Sequence, residues 1–376
     1  MQNCEPACSK CGRSRPAGQL VVGRLYLNFA RNWLWIKGAV FICCDYINTM
    51  VHEEKCSRNA VNGRMDNVHW RRALVRLLLS ISIAFLLLFV PFVSSGKAME
   101  LLGAGATFPY PLYSKMFYVY WQATGVKTNY QAIGSGGGQR QLLNVTVDFG
   151  GSDAFMDDDA LEEAPAKILH IPICLGAVAI TYNLPGNPEL EFTPNLLSEI
   201  FLGNITRWND KRILKINAHP GLSDRDIVVV HRSEGSGTTF VFTDYLSKVS
   251  DDWEKKVGTG KAVNWPVGLG SKGNPGVAGL IKYFPGAIGY VELGYALSNQ
   301  MPVALLQNKA GEFIRPGTTS ASVAANVSIP EDTRISITNT DAKEGYPISS
   351  FTWILVFKEQ AYRGRSYETA KALKNL

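Results

Sequence analysis

The chain has 376 residues, enough for two domains of ordinary size, and a globular composition that is 46% hydrophobic and 19% charged. Its net charge of +6 sits entirely at the start: residues 1–98 hold 13 Lys/Arg against 5 Asp/Glu, and residues 99–376 hold 25 against 27. The later part therefore lacks the basic stripe that a nucleic-acid binder carries on its folded surface, which excludes that class.

Cysteine usage divides at the same place. Cys4, Cys8, Cys11, Cys43, Cys44 and Cys56 precede residue 65, and only Cys174 follows residue 98. A domain with one thiol cannot close an internal disulfide. Cys174 lies in the apolar run Ile171-Pro-Ile-Cys-Leu-Gly and is expected to be a small buried hydrophobe.

Residues 1–64 show no clear periodicity. Cys4, Cys8 and Cys11 have no second Cys/His pair at zinc spacing. This segment reads as an upstream over-extension of the reading frame or an unstructured extension. Residues 65–98 read as a secretory signal peptide. Met65 opens it, Arg71, Arg72 and Arg76 supply positive charge, and Leu77 to Val90 is a run of 14 residues interrupted only by two serines. Pro91 breaks the run, and Gly96 and Ala98 provide small residues at −3 and −1. The run is short of the ~20 residues that a comfortable span requires.

From Met99 the pattern is α/β. Gly103 to Thr107 leads into a helix with Thr107 as N-cap, Pro109 in the first turn, apolar positions at Leu112, Met116, Val119 and Tyr120, and a stop at Gly125. A strand follows over Val126 to Ile133, alternating with period two, then Gly134-Ser-Gly-Gly-Gly138 and a short helix from Gln139. Val147 to Asp153 is strand-like and ends in small residues and an aspartate. Ile227 to His231 is a buried-type strand, Arg232 to Thr238 a turn, and Thr239 to Val249 a helix. Pro and Gly punctuate 258–289, which predicts loops between short elements. Phe351 to Phe357 is a strand, and Tyr367 to Leu376 is helical without a C-terminal cap.

Several Ser/Thr/Gly-rich turns thus follow strands or open helices. Each offers free backbone N–H groups where the helix dipole also favours an anion. One such turn is ordinary punctuation; several in one chain, with hydroxyls at cap positions, point to an oxyanion. There is no G-x-x-x-x-G-K-[ST] loop, no dinucleotide fingerprint, no G-x-S-x-G elbow and no H-E-x-x-H. Ser, Thr, Gly and one Arg can hold phosphate without a metal, but no base stands ready to activate a nucleophile.

Six segments carry a family resemblance: Gly103–Pro109, Tyr130–Gly138, Asp148–Ala154, Val230–Leu246, Val257–Asn274 and Phe284–Glu292. In this order they resemble the phosphate-binding protein (PstS) family of the bacterial high-affinity phosphate ABC transporter. The resemblance implies an α/β, two-lobe type II periplasmic binding protein that closes about a hinge. Lobe one would take about 99–173 and return over 348–376, and lobe two would take 174–347. The implied phosphate ligands are Thr107, Phe108 through its backbone N–H, Ser135, Asp153, Arg232, Ser236, Gly237 and Thr238. Asp153 would accept the proton that phosphate keeps near neutral pH and would repel sulfate, which has none to give. Arg232 would supply the full positive charge in fork geometry. Glu234 stands where the family often has an aspartate, which puts the holding of Arg232 in question.

The resemblance further implies a monomeric, non-enzymatic periplasmic receptor, without cofactor or metal, that delivers inorganic phosphate to an ABC permease and ATPase in the inner membrane. Family members continue past the strand at 351–357, so the C-terminal part of lobe one is expected to be truncated. Other readings remain: a sensor or scavenger without a transporter, a phosphatase or phosphotransferase built on the same anion pocket, or a receptor for another oxyanion.

Overall fold

The computed structural model describes residues 99–217, 222 and 224–376, with a few residues between 72 and 82 that are helical. The reading of 1–64, and most of the leader reading over 65–98, fall outside the described residues. Among the described residues no helix is long and apolar enough to cross a membrane. The chain divides into two units, Met1–Ser95 and Gly96–Leu376.

Among its described residues the second unit has eleven strands and eleven helices. It begins β1 (Glu100–Gly105), α1 (Tyr110–Thr124), β2 (Lys127–Ala132), α2 (Ser135–Leu143), β3 (Phe149–Ser152), α3 (Asp158–Glu162) and the long β4 (Ile168–Tyr182). Next come β5 (Glu191–Phe192), α4 (Pro194–Phe201), α5 (Lys211–Leu214), β6 (Val228–Arg232), α6 (Gly237–Val249) and α7 (Asp251–Lys256). Then follow β7 (Leu269–Ser271), α8 (Gly273–Tyr283), β8 (Ala287–Glu292), α9 (Leu293–Ser298), β9 (Leu305–Gln307), β10 (Phe313–Ile314) and α10 (Thr318–Ala324). β11 (Ser349–Phe357) and α11 (Tyr367–Asn375) end it.

Eight strands form one sheet in the order β2-β1-β3-β11-β4-β8-β6-β7. β1 runs parallel to β2 and β3, and β6 runs parallel to β7 and β8. Between these parallel groups lie the antiparallel pairs β3–β11, β11–β4 and β4–β8. β4 joins the two halves: Ile168 to Ala177 pair with β11, and Val178 to Tyr182 pair with β8. β10, β9 and β5 make a separate three-stranded sheet.

Each half of the large sheet has its own core. Leu101, Tyr113, Phe117, Phe149 and Val356 pack on one face of the first half, and Ala104, Leu142, Met156, Trp353 and Leu355 form another cluster there. The second half packs Ile180, Val230, Phe242, Leu246, Trp253, Ile288 and Tyr290. Each fully buried side chain of this size contributes about 1.5–3 kcal/mol.

Three local expectations are corrected. The first helix is capped at Pro109, not at Thr107, and buries Tyr113 and Phe117, whereas Leu112, Met116 and Val119 are exposed. Apolar spacing at 3.6 fits more than one stripe here, and the packed stripe is the one facing β2 and β3, where Tyr113 and Phe117 meet Tyr130 and Phe117 meets Phe149. The second helix starts at Ser135 and takes in the glycine run. Its backbone lies so close to β1 that a Cβ at Gly138 would sit 2.5 Å from Ala104 O. Over 258–289 loops do separate short elements, β7, α8 and the start of β8, and α8 buries Val277, Ala278 and Ile281 despite Gly273, Pro275, Gly276 and Gly279. Finally, Cys174 is only half-buried, at a position of β4 opposite Thr352.

Candidate functional site

Parallel strands ending in Gly-rich turns place their C-terminal ends together. In the first half, Gly105 ends β1 with φ +144° and lies against the backbone of Gly151, where any Cβ would fall 2.0 Å from the carbonyl oxygen. Ala106 N–H donates to Gly151 O at 2.8 Å, and Gly134 N–H donates to Gly105 O at 2.8 Å. These contacts gather Thr107, Ser135 and Asp153 just past the C-terminal ends of β1, β2 and β3. The N–H of Asp153 donates to Ser135 Oγ at 3.1 Å, and the Ser135 hydroxyl lies 3.5 Å from Asp153 Oδ2.

Asp153 is 2% exposed. Its Oδ1 accepts from the Thr352 hydroxyl at 2.9 Å. Burial pushes its carboxyl up to about 7. The Thr352 bond and the Arg232 charge oppose that rise, and the Glu292 charge adds to it.

The second half contributes β6 and the start of α6. Arg232 ends β6 and is buried. Its Nε donates to Glu234 Oε1 at 3.0 Å, its Nη2 donates to the same oxygen, and its Nη1 donates to Thr238 Oγ1 at 3.2 Å. The same Glu234 oxygen accepts the Gly273 N–H at 3.0 Å. Ser236 caps α6, its Oγ accepting from Thr239 N–H at 3.1 Å. The N–H groups at the start of α6 have no intrahelical partner by construction.

The two halves meet at this point. A Cβ on Gly237 would lie 2.3 Å from Ser135 Oγ and 2.6 Å from Asp153 Oδ2. Gly136 N–H donates to Gly235 O at 3.0 Å, and Lys261 Nζ donates to Gln139 Oε1 at 2.5 Å. Thr107 Oγ1 accepts from both the backbone and side-chain N–H groups of Asn274, and Thr107 O accepts from the Tyr295 hydroxyl at 2.7 Å. The Phe108 ring is buried against Gly176 in the second-half core, which leaves its backbone beside Thr107 in the cluster.

The structure thus brings Thr107, the Phe108 backbone, Ser135, Asp153, Arg232, Ser236, Gly237 and Thr238 into one place. This is a buried cluster of hydroxyls and helix-start N–H groups around the Arg232 guanidinium and the Asp153 carboxyl, with Glu234 bonded to the guanidinium. Sequence reasoning missed four other members: Thr352, Asn274, Lys261 and Glu292. Burial raises the Glu292 carboxyl to about 7, against the bonds it accepts from Gly294 and Tyr295 N–H. Asn274 and Lys261 lie inside one of the matched segments, so a signal was there, but no residue-type rule singled them out. Among the described residues no group of three or more His, Cys, Asp or Glu is arranged to hold a metal ion. A cavity of about 760 Å³ lies elsewhere, lined by apolar side chains such as Phe117, Ile171, Ile354 and Leu373.

Residues 93–375 match the family model described as PBP superfamily domain. The chain is 44% identical over 277 residues to the phosphate-binding protein PstS of Pasteurella multocida, covering 72% of this chain and 80% of that protein. It is 45% identical over 276 residues to the protein of the same name from Xylella fastidiosa, covering 72% and 75%. Among solved structures, it is similar to a high-affinity periplasmic phosphate-binding protein, PfluDING, bound with phosphate at pH 8.5. That match has a TM-score of 0.58 and 23% identity, and covers 74% of this chain and 84% of the other. A phosphate ABC transporter substrate-binding protein from Clostridium perfringens, described as putative, matches with a TM-score of 0.51 and 16% identity, over 73% and 91%. At these identities the structural likeness speaks for the fold.

Proposed function

The chain belongs to the PstS family of phosphate-binding proteins, and from that premise we propose that it captures inorganic phosphate in the cluster around Asp153 and Arg232 and passes it to an ABC importer. The ligands are Thr107, the Phe108 N–H, Ser135, Asp153, Arg232, Ser236, Gly237 and Thr238. The protein is exported behind the segment 65–98, acts as a monomeric periplasmic receptor, and performs no catalysis. Its partners are the permease and ATPase of the importer.

The observation that carries this reading is the environment of Asp153. A carboxylate that accepts from Thr352 and is otherwise buried between Ser135 and the start of α6 has one oxygen facing the donors. Phosphate near neutral pH keeps at least one proton, so it can donate to that oxygen while its charged oxygens accept from N–H and O–H groups. Sulfate would meet the carboxylate with no proton to offer. Arg232 supplies the opposing charge, already oriented by Glu234.

The family's two lobes correspond to 99–173 with the return over 348–376, and to 174–347. The change of partner along β4 supports this division, because β4 leaves β11 for β8 after Ala177. Phosphate between the lobes favours closure by contacting both at once.

The test is calorimetry of phosphate and of sulfate on the wild type and on Asp153→Asn. Phosphate is expected to bind and sulfate to be rejected by the wild type, with the preference collapsing in the variant. Equal affinities for the two anions in the wild type would overturn the reading.

A further inference from the structure

Thr107 and Thr238 belong to different halves of the sheet, yet one amide holds both hydroxyls. Asn274 is fully buried at the start of α8. Its Nδ2 donates to Thr107 Oγ1 at 2.9 Å and to Thr238 Oγ1 at 3.2 Å, which uses both amide hydrogens. Its Oδ1 accepts the Glu292 N–H at 2.9 Å, and this bond to a backbone donor fixes which end of the amide faces the threonines.

Each threonine oxygen receives a second donor. Thr107 Oγ1 also accepts the Asn274 N–H at 3.2 Å, and Thr238 Oγ1 also accepts from Arg232 Nη1 at 3.2 Å. A hydroxyl has two acceptor sites and one hydrogen. With both acceptor sites filled by N–H groups, the remaining function of each hydroxyl is to donate.

We propose that Asn274 is a positioning residue that locks the Thr107 and Thr238 hydroxyls as donors toward the bound anion. This rests on the phosphate reading above. A free hydroxyl can turn to accept from a protonated oxygen of the ligand as readily as it donates to a charged one. Two locked donors suit charged oxygens alone and leave the ligand's proton to Asp153. Asn274 thereby ties the halves together and sets the polarity of the site from outside the ligand shell.

The test is a double-mutant cycle on the full chain, with phosphate binding read by calorimetry and, for weak variants, by phosphorus-31 NMR titration. Asn274→Ala is expected to weaken phosphate binding on the order of thirtyfold, since hydrogen bonds to a charged ligand lose their orientation. In a Thr107→Val/Thr238→Val background the same substitution is expected to change affinity less than about threefold, because the hydroxyls through which it acts are gone. Asn274→Ser, which keeps a small polar group for the Glu292 N–H, goes through the same cycle if the alanine variant does not melt cooperatively. An equal loss in both backgrounds, with phosphate still bound by the wild type, would mean a general packing role and overturn the assignment. A wild type that binds no phosphate overturns it together with the reading on which it rests.

Discussion

Gly237 lies directly against Asp153: a Cβ on Gly237 would stand 2.6 Å from Asp153 Oδ2. The backbone of Gly237 is not in the left-handed region, so the glycine is there for space alone. Gly237 is the first residue of α6, so the preference for alanine in a helix interior, about 1 kcal/mol, applies there only in part. Gly237→Ala is nevertheless expected to weaken phosphate binding by on the order of a hundredfold, because the start of α6 must retreat from Ser135 and Asp153. Calorimetry checks the affinity, and small-angle scattering with phosphate present should show a more open form. Unchanged affinity would mean that the two halves do not close as tightly as the structure has them.

Asp153 predicts a pH dependence. Its carboxyl is raised from an ordinary 3.8 to about 7, so the folded protein binds this proton more tightly than the unfolded chain. Its contribution to stability therefore falls as pH rises from about 4 to 7 and stays low above that. Glu292, raised from 4.5 to about 7, acts in the same direction. Phosphate-free Asp153→Asn should be more stable than the wild type at pH 8 by roughly 2–4 kcal/mol, with little difference near pH 4. Urea melts at the two pH values measure this; a variant that is no more stable at pH 8 would contradict the origin assigned to the shift.

Glu234 holds Arg232 through Nε and Nη2 and reaches the Gly273 N–H with the same oxygen. Removing it leaves a buried guanidinium without its carboxylate. Glu234→Ala should lose about 2–4 kcal/mol of stability in urea without phosphate. Glu234→Asp keeps the partner but withdraws from Gly273, and should lose roughly 1 kcal/mol. If the aspartate variant matches the wild type, the Gly273 bond adds nothing.

Lys261 joins the halves through Gln139. Burial lowers the ammonium below its ordinary range, so it is partly desolvated where it makes this bond. Lys261→Met should weaken phosphate binding about threefold to tenfold, mainly through faster release, as the closed form loses one tie. Stopped-flow release rates check it, and a change confined to the association rate would point instead to steering by charge.

The anion-type loops were legible because their chemistry is local. Gly105, Gly134 and Ser135 lie beside their strands and helices in the chain, and the hydroxyls at helix starts can be read residue by residue. Two helix positions were less legible. Glycine and proline in α8 argue against a helix, yet burial of Val277, Ala278 and Ile281 outweighs that propensity. In α1, apolar residues lie on several faces, and only contact with Tyr130 and Phe149 decides that Tyr113 and Phe117 are the ones inside.

By itself the sequence determined the α/β pattern, the segments that mark the family, and the residue types that can hold an oxyanion without a metal. Local hydrogen bonding and periodicity carry that information over a few residues at a time. The tertiary structure alone decided what stands behind those residues. Thr352 reaches Asp153 across 199 positions, and Asn274 reaches Thr107 across 167. Which hydroxyl donates, how far a carboxyl is raised and why Gly237 has no side chain all depend on burial and on partners distant in the chain. No pattern read along the sequence contains those distances.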